Sequence, residues 1–107
     1  MAEARNVTAG SFEREVLAAP GLVLIDLWAP WCAPCRALAP VIDDIADDFG
    51  DTLTVGKIDV DAEPSLRDRL MVRSVPTLIL FRGGEELARA TGNQSRARLT
   101  AWIEAHQ

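Results

Sequence analysis

Two stretches of the chain are rich in apolar residues, and each has the length of a β-strand. They are LVLIDLW, residues 22–28, and TLTVGKIDV, residues 52–60. The first is apolar at every position but Asp26, and a continuous apolar run of this length is typical of a strand that is covered on both faces, because a half-exposed strand alternates apolar and polar residues. The pattern therefore predicts two central, buried strands.

A helix is predicted between these two strands. From Cys35 onward, apolar residues recur at steps of three and four, and this stripe stops at Gly50. Its members are Leu38, Ile42, Ile45 and Phe49. Pro40 removes one backbone hydrogen bond inside the helix, so we expect a bend there. A helix between two strands forms a β-α-β unit, which predicts parallel pairing with a right-handed crossover.

Shorter elements are predicted before and after this unit. SFEREVLAA predicts a short helix capped by Ser11, and EPSLRDRLM predicts another with Pro64 in its first turn. TLILF and EELARATG, joined by the turn at 82–84, predict a β-hairpin whose more polar second strand lies at the sheet edge.

The last segment, SRARLTAWIEA, predicts a closing helix capped by Ser95, with Leu99, Trp102 and Ile103 facing inward. The predicted fold class is therefore α/β, with a central mixed sheet of four to five strands and helices on both of its faces. The chain has 107 residues, of which 49% are hydrophobic, so it can build one core but is too short for two ordinary domains. We expect a single domain over residues 1–107.

The charge of the chain disfavours two classes of partner. Eleven Lys and Arg residues against sixteen Asp and Glu residues give a formal net charge of -5. Binding to nucleic acid or to an anionic membrane needs a basic surface, so we expect neither. The start, MAEARNVTAG, lacks the apolar core of a secretory signal, and no apolar run reaches membrane length. The sequence predicts a soluble, cytoplasmic protein.

The two cysteines of the chain, Cys32 and Cys35, lie within WCAPC. A residue before proline avoids the helical region, whereas proline suits the first helical position, so Pro34 should begin the helix and Cys32 should lie just outside it, exposed. Unpaired amides and the helix dipole favour an anion there, so we expect a reactive thiolate at Cys32. Cys35, one turn further in, should be buried and able to attack the Cys32 sulfur. The spacing predicts disulfide exchange through a mixed disulfide at Cys32 that Cys35 resolves.

Two other interpretations of the cysteines are weaker. A tetrahedral zinc site needs four ligands, and beyond this pair the chain offers one histidine, His106, and no further cysteine. Two inert core thiols would not need the tryptophan, the proline and the helix start around them. We therefore expect no metal site.

Asp26 is the one charged residue in the first apolar strand. If both faces of that strand are covered, desolvation raises the pKa of Asp26 into a range where it exchanges protons near neutrality. Lys57 lies in the second apolar strand and would be its neighbour. The alternatives are an exposed carboxylate at a strand edge and a lysine whose long side chain reaches solvent.

W-C-A-P-C, set between I-D-L-W-A-P and a helix that carries Pro40, resembles the thioredoxin family, as does a C-x-x-C near a β-α-β pattern in general. The resemblance extends over essentially the whole chain. It includes Phe12, Asp26, Trp28, Lys57, the S-V-P-T-L stretch around Pro76, Gly84 and Gly92. One position departs from the family pattern: Ala33 stands where glycine is usual, and this position tunes the reduction potential.

The resemblance implies an activity and roles for individual residues. The protein would reduce disulfides of client proteins and be recycled by a thioredoxin reductase that draws on NADPH, as a monomer without a bound cofactor. Asp26, with Lys57 as neighbour, would help deprotonate Cys35, and the Val75-Pro76 bond would be cis. Clients would dock on Trp31, Ala33, Pro34, Val75, Pro76 and Gly92. The alternatives are a binding module with the same fold and a relative that forms or shuffles disulfides.

Overall fold

The computed structural model describes residues 4–107, in which five strands form one mixed sheet. The strands are β1 (Arg5–Asn6), β2 (Leu22–Trp28), β3 (Leu53–Asp59), β4 (Thr77–Arg82) and β5 (Glu85–Thr91). Their order across the sheet is β1-β3-β2-β4-β5, with β2 and β3 parallel and β4 antiparallel to both of its neighbours. The predicted α/β class, the parallel β-α-β unit and the polar edge strand are confirmed.

Three α-helices flank the sheet: α1 (Ala33–Phe49), α2 (Pro64–Arg69) and α3 (Arg96–Ala105). The backbone N–H of Arg98 donates to Ser95 Oγ at 3.1 Å, which confirms the predicted cap of α3. Helix α1 ends at Gly50, whose φ of 53° is in the left-handed region that glycine adopts without strain. The boundaries of the long helix therefore follow from its local sequence.

The first predicted helix differs from the structure. It is a five-residue π-helix, Glu13–Leu17, and its N-cap position is held by Phe12 without a side-chain cap. Ser11 Oγ instead accepts a hydrogen bond from the N–H of Thr8 at 3.0 Å. The prediction that Ser11 caps this helix was wrong, because its hydroxyl is engaged in the preceding turn.

The pattern of apolar residues did not reveal β1. Its two residues are exposed, and they pair with Gly56 and Lys57 at the far edge of β3. A Cβ atom at Gly56 would lie 2.8 Å from Val7 Cγ2 and 2.9 Å from Ile25 Cδ1. Gly56 thus permits the close approach of the chain beyond β1 to the sheet.

Both faces of the sheet are covered by apolar side chains. Alternate residues of β2 point to opposite faces, so Ile25 belongs to one buried cluster and Leu24 to the other. The first cluster also contains Phe12, Ile58, Phe81 and both cysteines, and the second contains Leu38, Ile42, Leu99 and Ile103. The two-sided burial predicted for β2 is confirmed. Among residues 4–107, no helix has the length and apolar character to cross a membrane.

Candidate active site

The start of α1 places the two cysteines together. Cys32 and Cys35 form a disulfide with their Cα atoms 5.2 Å apart. Cys32 is the N-cap residue, with the extended backbone angles φ -86° and ψ 106°, and its Sγ accepts a hydrogen bond from the N–H of Cys35 at 3.2 Å. Pro34 lies in the first turn, where its missing N–H costs no hydrogen bond. The predicted position of Cys32 just outside the helix is confirmed.

The predicted difference in exposure between the cysteines was wrong for this disulfide form. Cys32 is 4% exposed and Cys35 is 3% exposed. A neighbouring segment explains the burial of Cys32, because its Sγ lies 3.8 Å from the carbonyl oxygen of Val75. A disulfide sulfur has no hydrogen to donate, so this distance is a packing contact. In the disulfide form, exposure therefore does not distinguish the two cysteines, whereas the hydrogen bond accepted by Cys32 Sγ does.

The segment facing Cys32 comes from a distant part of the chain. The Val75-Pro76 peptide bond is cis, as the resemblance implied. The N–H of Gly92 donates to the carbonyl oxygen of Pro76 at 2.9 Å, and the φ of Gly92 is 80°, in the region that favours glycine. Three segments that are remote in sequence, around Cys32, Pro76 and Gly92, are thereby joined at one end of the sheet.

The residues predicted to bind clients surround this end, but they contribute unequal surface. Trp31 is 68% exposed. Ala33, Pro34 and Gly92 are exposed as well, whereas Val75 is half-buried. Pro76 is buried, so it offers little area to a client and acts through the shape that it gives the loop.

Asp26 lies in the middle of β2 with 1% of its surface exposed, which confirms its predicted burial. Neither carboxylate oxygen has a hydrogen-bond partner in the described part of the chain. Burial raises the pKa of Asp26 from 3.8 to about 6, and the positive charge of Lys57 opposes this rise. An unpartnered buried carboxylate of this kind is costly for stability and suited to proton exchange near neutrality.

Lys57 is the direct neighbour of Asp26 across the parallel pair of β2 and β3. Its Nζ lies 5.1 Å from the centre of the Trp28 ring, a cation–π distance, and the residue is half-buried. The Trp28 Nε1 is buried and has no hydrogen-bond partner within residues 4–107. Lys57 thus lowers the electrostatic cost of the buried carboxylate while keeping part of its side chain near solvent.

Comparison with known proteins assigns the family. A family model described as Thioredoxin matches residues 3–105. The chain belongs to the thioredoxin family. It is 44% identical to "Thioredoxin" of Allochromatium vinosum and 43% identical to "Thioredoxin" of Pseudomonas aeruginosa, each over 94% of both chains. It is also 39% identical to "Thioredoxin 1" of Nostoc sp., over 99% of both chains.

Membership of this family and the cysteine pair together establish the activity as thiol-disulfide oxidoreduction. Thioredoxins carry no prosthetic group, act on disulfide-containing clients and use the cysteine pair itself as the redox centre. Within residues 4–107, no group of three or more His, Cys, Asp or Glu side chains is arranged to hold a metal ion. Family membership and the cysteine pair thus identify a thioredoxin-type disulfide oxidoreductase whose redox centre is Cys32–Cys35.

Sequence reasoning missed two features near the cysteines. One is Arg36, whose guanidinium donates to the carbonyl oxygen of Pro30 at 2.8 Å and so links α1 to the preceding turn. The other is a groove of about 170 Å³ beside Trp31 and Val75, whose further lining includes Arg67 and Arg73. No local pattern in the sequence indicates the groove, because it depends on remote segments brought together by folding.

Proposed function

We propose that this protein is a single-domain thioredoxin that acts as a monomer in the cytoplasm and reduces disulfides of client proteins with the Cys32–Cys35 dithiol. The hydrogen bond from the Cys35 N–H to Cys32 Sγ, at the N-terminus of α1, carries this proposal. A donor and a helix dipole at that sulfur favour its anionic form, and the thiolate is the nucleophile in disulfide exchange.

In the first step, the Cys32 thiolate attacks one sulfur of the client disulfide. A Cys32–client mixed disulfide forms, and the second client sulfur leaves as a thiolate and takes up a proton. Cys32 lies at the rim of the molecule, between exposed Trp31 and exposed Ala33, so a client reaches its sulfur with modest rearrangement.

In the second step, Cys35 attacks the Cys32 sulfur and releases the client as a dithiol. Cys35 must lose its proton for this attack, and we assign the acceptor role to the Asp26 carboxylate, with Lys57 tuning its proton affinity. Two electrons pass from the protein to the client, and the Cys32–Cys35 disulfide is the product. The raised pKa of Asp26, about 6, lets it alternate between its two protonation states near neutral pH.

Client docking is assigned to Trp31, Ala33, Pro34, Val75 and Gly92, with Pro76 shaping the loop. The half-buried Val75 lies beside the Cys32 sulfur, and its backbone suits pairing with an extended client segment. Such recognition needs little side-chain specificity, in keeping with action on many clients.

The catalytic cycle also needs a donor that returns the disulfide to the dithiol. We assign this role to a thioredoxin reductase that draws on NADPH, so that the nicotinamide cofactor acts only through the partner. The overall reaction then transfers two electrons from NADPH to a client disulfide.

Reduction of insulin disulfides with dithiothreitol as donor tests the proposal. We expect the parent protein to accelerate insulin precipitation strongly and Cys32→Ser to have the background rate of dithiothreitol alone. An inactive parent would favour a binding module with the same fold. Equilibration with glutathione then separates a reductase from a disulfide-forming relative, which would have a markedly less negative reduction potential.

A further inference from the structure

We propose that the groove beside Cys32 is a specificity site that binds an acidic side chain of the client close to the disulfide being reduced. This inference deepens the proposed function and rests on it. Its occupant is a protein segment that carries Asp or Glu near a half-cystine.

The groove adjoins the reacting sulfur. Its volume is about 170 Å³, and it shares Trp31 and Val75 with the client-docking surface. Val60 and Val72, both buried, supply apolar lining, while Arg67 and Arg73 supply charged groups. A side chain with a short apolar stem and a charged end matches this combination.

The residues that line the groove have a net charge opposite in sign to that of the chain. The whole chain has a formal net charge of -5. In contrast, two arginines, Arg67 and Arg73, and one acidic residue, Asp61, line the groove, for a formal charge of +1. Charge complementarity at the groove therefore favours an anionic group, whereas the charge of the whole chain favours a cationic client.

The two arginines are not equally available. Arg67 Nε lies 3.4 Å from Asp68 Oδ1, so its charge is partly offset. Arg73 is exposed and makes no salt bridge with any residue from 4 to 107. A guanidinium binds a carboxylate through two parallel hydrogen bonds, so Arg73 is the principal contact for an acidic client side chain.

The wall of the groove is held in place before a client arrives. The Val72 N–H donates to the carbonyl oxygen of Arg67 at 3.0 Å, and Arg89 Nη2 donates to the carbonyl oxygen of Leu70 at 3.0 Å. Arg89 is itself fixed by two hydrogen bonds of 2.6 Å to Glu86 on the same strand. A wall that is already ordered loses little conformational entropy when a client binds.

A client bound at Cys32 comes within reach of Arg73. Val75 contacts the Cys32 sulfur, and Arg73 precedes Val75 by two residues, which is at most about 7 Å of extended chain. When a client segment runs along Val75, a client residue that is close in sequence to the half-cystine thus lies over the groove.

The test compares three short peptides with one intramolecular disulfide each, flanked by Glu, Gln or Lys. For each peptide, the second-order rate constant for its reduction by the pre-reduced protein is measured in 0.1 M salt and divided by the corresponding rate constant for dithiothreitol. This division removes the effect of the flanking charge on the peptide disulfide itself. Salt at this concentration screens charges beyond about 10 Å, so the distant acidic surface contributes little.

We expect the Glu peptide to exceed the Lys peptide by about two- to fivefold, the range for one or two partly exposed ion pairs. Arg73→Gln should abolish most of this preference, and the double variant Arg67→Glu, Arg73→Glu should reverse it. Arg98→Gln is the matched control, because it removes one positive charge as Arg73→Gln does. Arg98 is exposed on α3, which packs on the other face of the sheet, and glutamine three residues after the Ser95 cap suits a helix start.

Equal corrected rates for the three peptides, or a preference for the Lys peptide, would overturn the inference while leaving the proposed function intact. So would an equal loss of preference in Arg98→Gln and Arg73→Gln, because the effect would then be one of net charge. If the parent reduced none of the peptides and no insulin, the proposed function itself would fail and the inference with it.

Discussion

Two regions of this protein contain charged side chains in opposite surroundings, the exposed seam between α1 and α3 and the buried strand β2. They differ in solvent exposure and in hydrogen-bond partners, which set the energy of a charged group. At the seam of α1 and α3, Arg96 is exposed and donates to both carboxylate oxygens of Asp48, at 2.8 and 2.6 Å through Nη2, with Asp44 Oδ2 3.6 Å from Nη1. In the middle of β2, Asp26 is 1% exposed and has no hydrogen-bond partner among residues 4–107.

The ion pair at the seam has good hydrogen-bond geometry but changes the free energy of folding little. The buried Asp26 carboxylate has no hydrogen-bond partner but changes that free energy much more. Water already solvates the exposed groups of the seam, so pairing them changes the free energy little. Asp26 has lost its water without gaining a partner, so its protonation state is coupled to folding. The energetic cost of a charged group therefore lies in the buried strand β2 and not at the exposed seam.

The largest effect on activity is expected on changing Cys35, in the first turn of α1. Cys35→Ser leaves Cys32 able to attack a client but removes the thiol that releases it, so turnover of insulin should fall more than about a hundredfold. A stable mixed disulfide with client proteins should accumulate and be visible on non-reducing gels. Turnover at the parent rate would show that release does not depend on Cys35.

Asp26→Ala should stabilise the oxidised protein at pH 8. The folded pKa of Asp26, about 6, lies above the ordinary value of 3.8, so the folded state binds the proton more tightly than the unfolded state. This contribution to stability is present below the unfolded pKa and is lost as pH rises through the folded one. The shift corresponds to about 3 kcal/mol at pH 8, reduced by any cavity that alanine leaves.

Urea unfolding of parent and variant between pH 4 and pH 8 measures this effect. The advantage of Asp26→Ala should grow from about pH 4 to about pH 6 and then level off, as the linkage relation requires. Asp26→Asn, which keeps the shape but not the titration, should show the same pH dependence relative to the parent. Asp26→Ala should also reduce insulin more slowly at pH 7; a less stable variant with full activity would contradict both roles of Asp26.

The two thiols of the reduced protein should differ in reactivity although both sulfurs are buried in the disulfide form. Cys32 receives the N–H of Cys35 at the helix start, so brief iodoacetamide treatment near pH 7 should label it about tenfold faster than Cys35. Mass spectrometry of the digested protein gives the ratio. Preferential labelling of Cys35 would contradict the assignment of nucleophile and resolving thiol.

The smallest effect is expected at the seam. Arg96→Ala should shift the urea midpoint too little to separate it from the parent, and its stability difference should not vary between pH 5 and pH 8. Insulin reduction should be unchanged, because Arg96 lies outside the site. A destabilisation as large as the stabilisation of Asp26→Ala would show that exposed pairing, and not burial, dominates the electrostatics of this fold.

Much of the fold could be predicted from short stretches of sequence. The strands β2 and β3, helix α1 and its end at Gly50 follow from apolar spacing, because one face of a helix or both faces of a buried strand must be covered. The position of Cys32 at the helix start follows from Pro34 alone. The burial of Asp26 followed from the apolar residues around it, and the family resemblance added roles that these patterns do not contain.

Other features depend on residues that are distant in sequence, and no local pattern indicates them. Cys32 meets Val75 across 43 positions, and this contact buries a sulfur that its helix-start position alone predicted to be exposed. Strand β1 consists of two exposed residues, so apolar spacing gives no sign of it. Its one trace in the sequence is Gly56 of β3, which leaves room for the chain beyond β1 to approach the sheet. The sequence by itself therefore determined β2 to β5, the three α-helices and the reactive pair, since these depend on local backbone preferences and side-chain spacing. Tertiary structure alone decided what faces the pair, namely the Val75 carbonyl and the groove with Arg73, because those surroundings exist only after loop closure brings remote segments together.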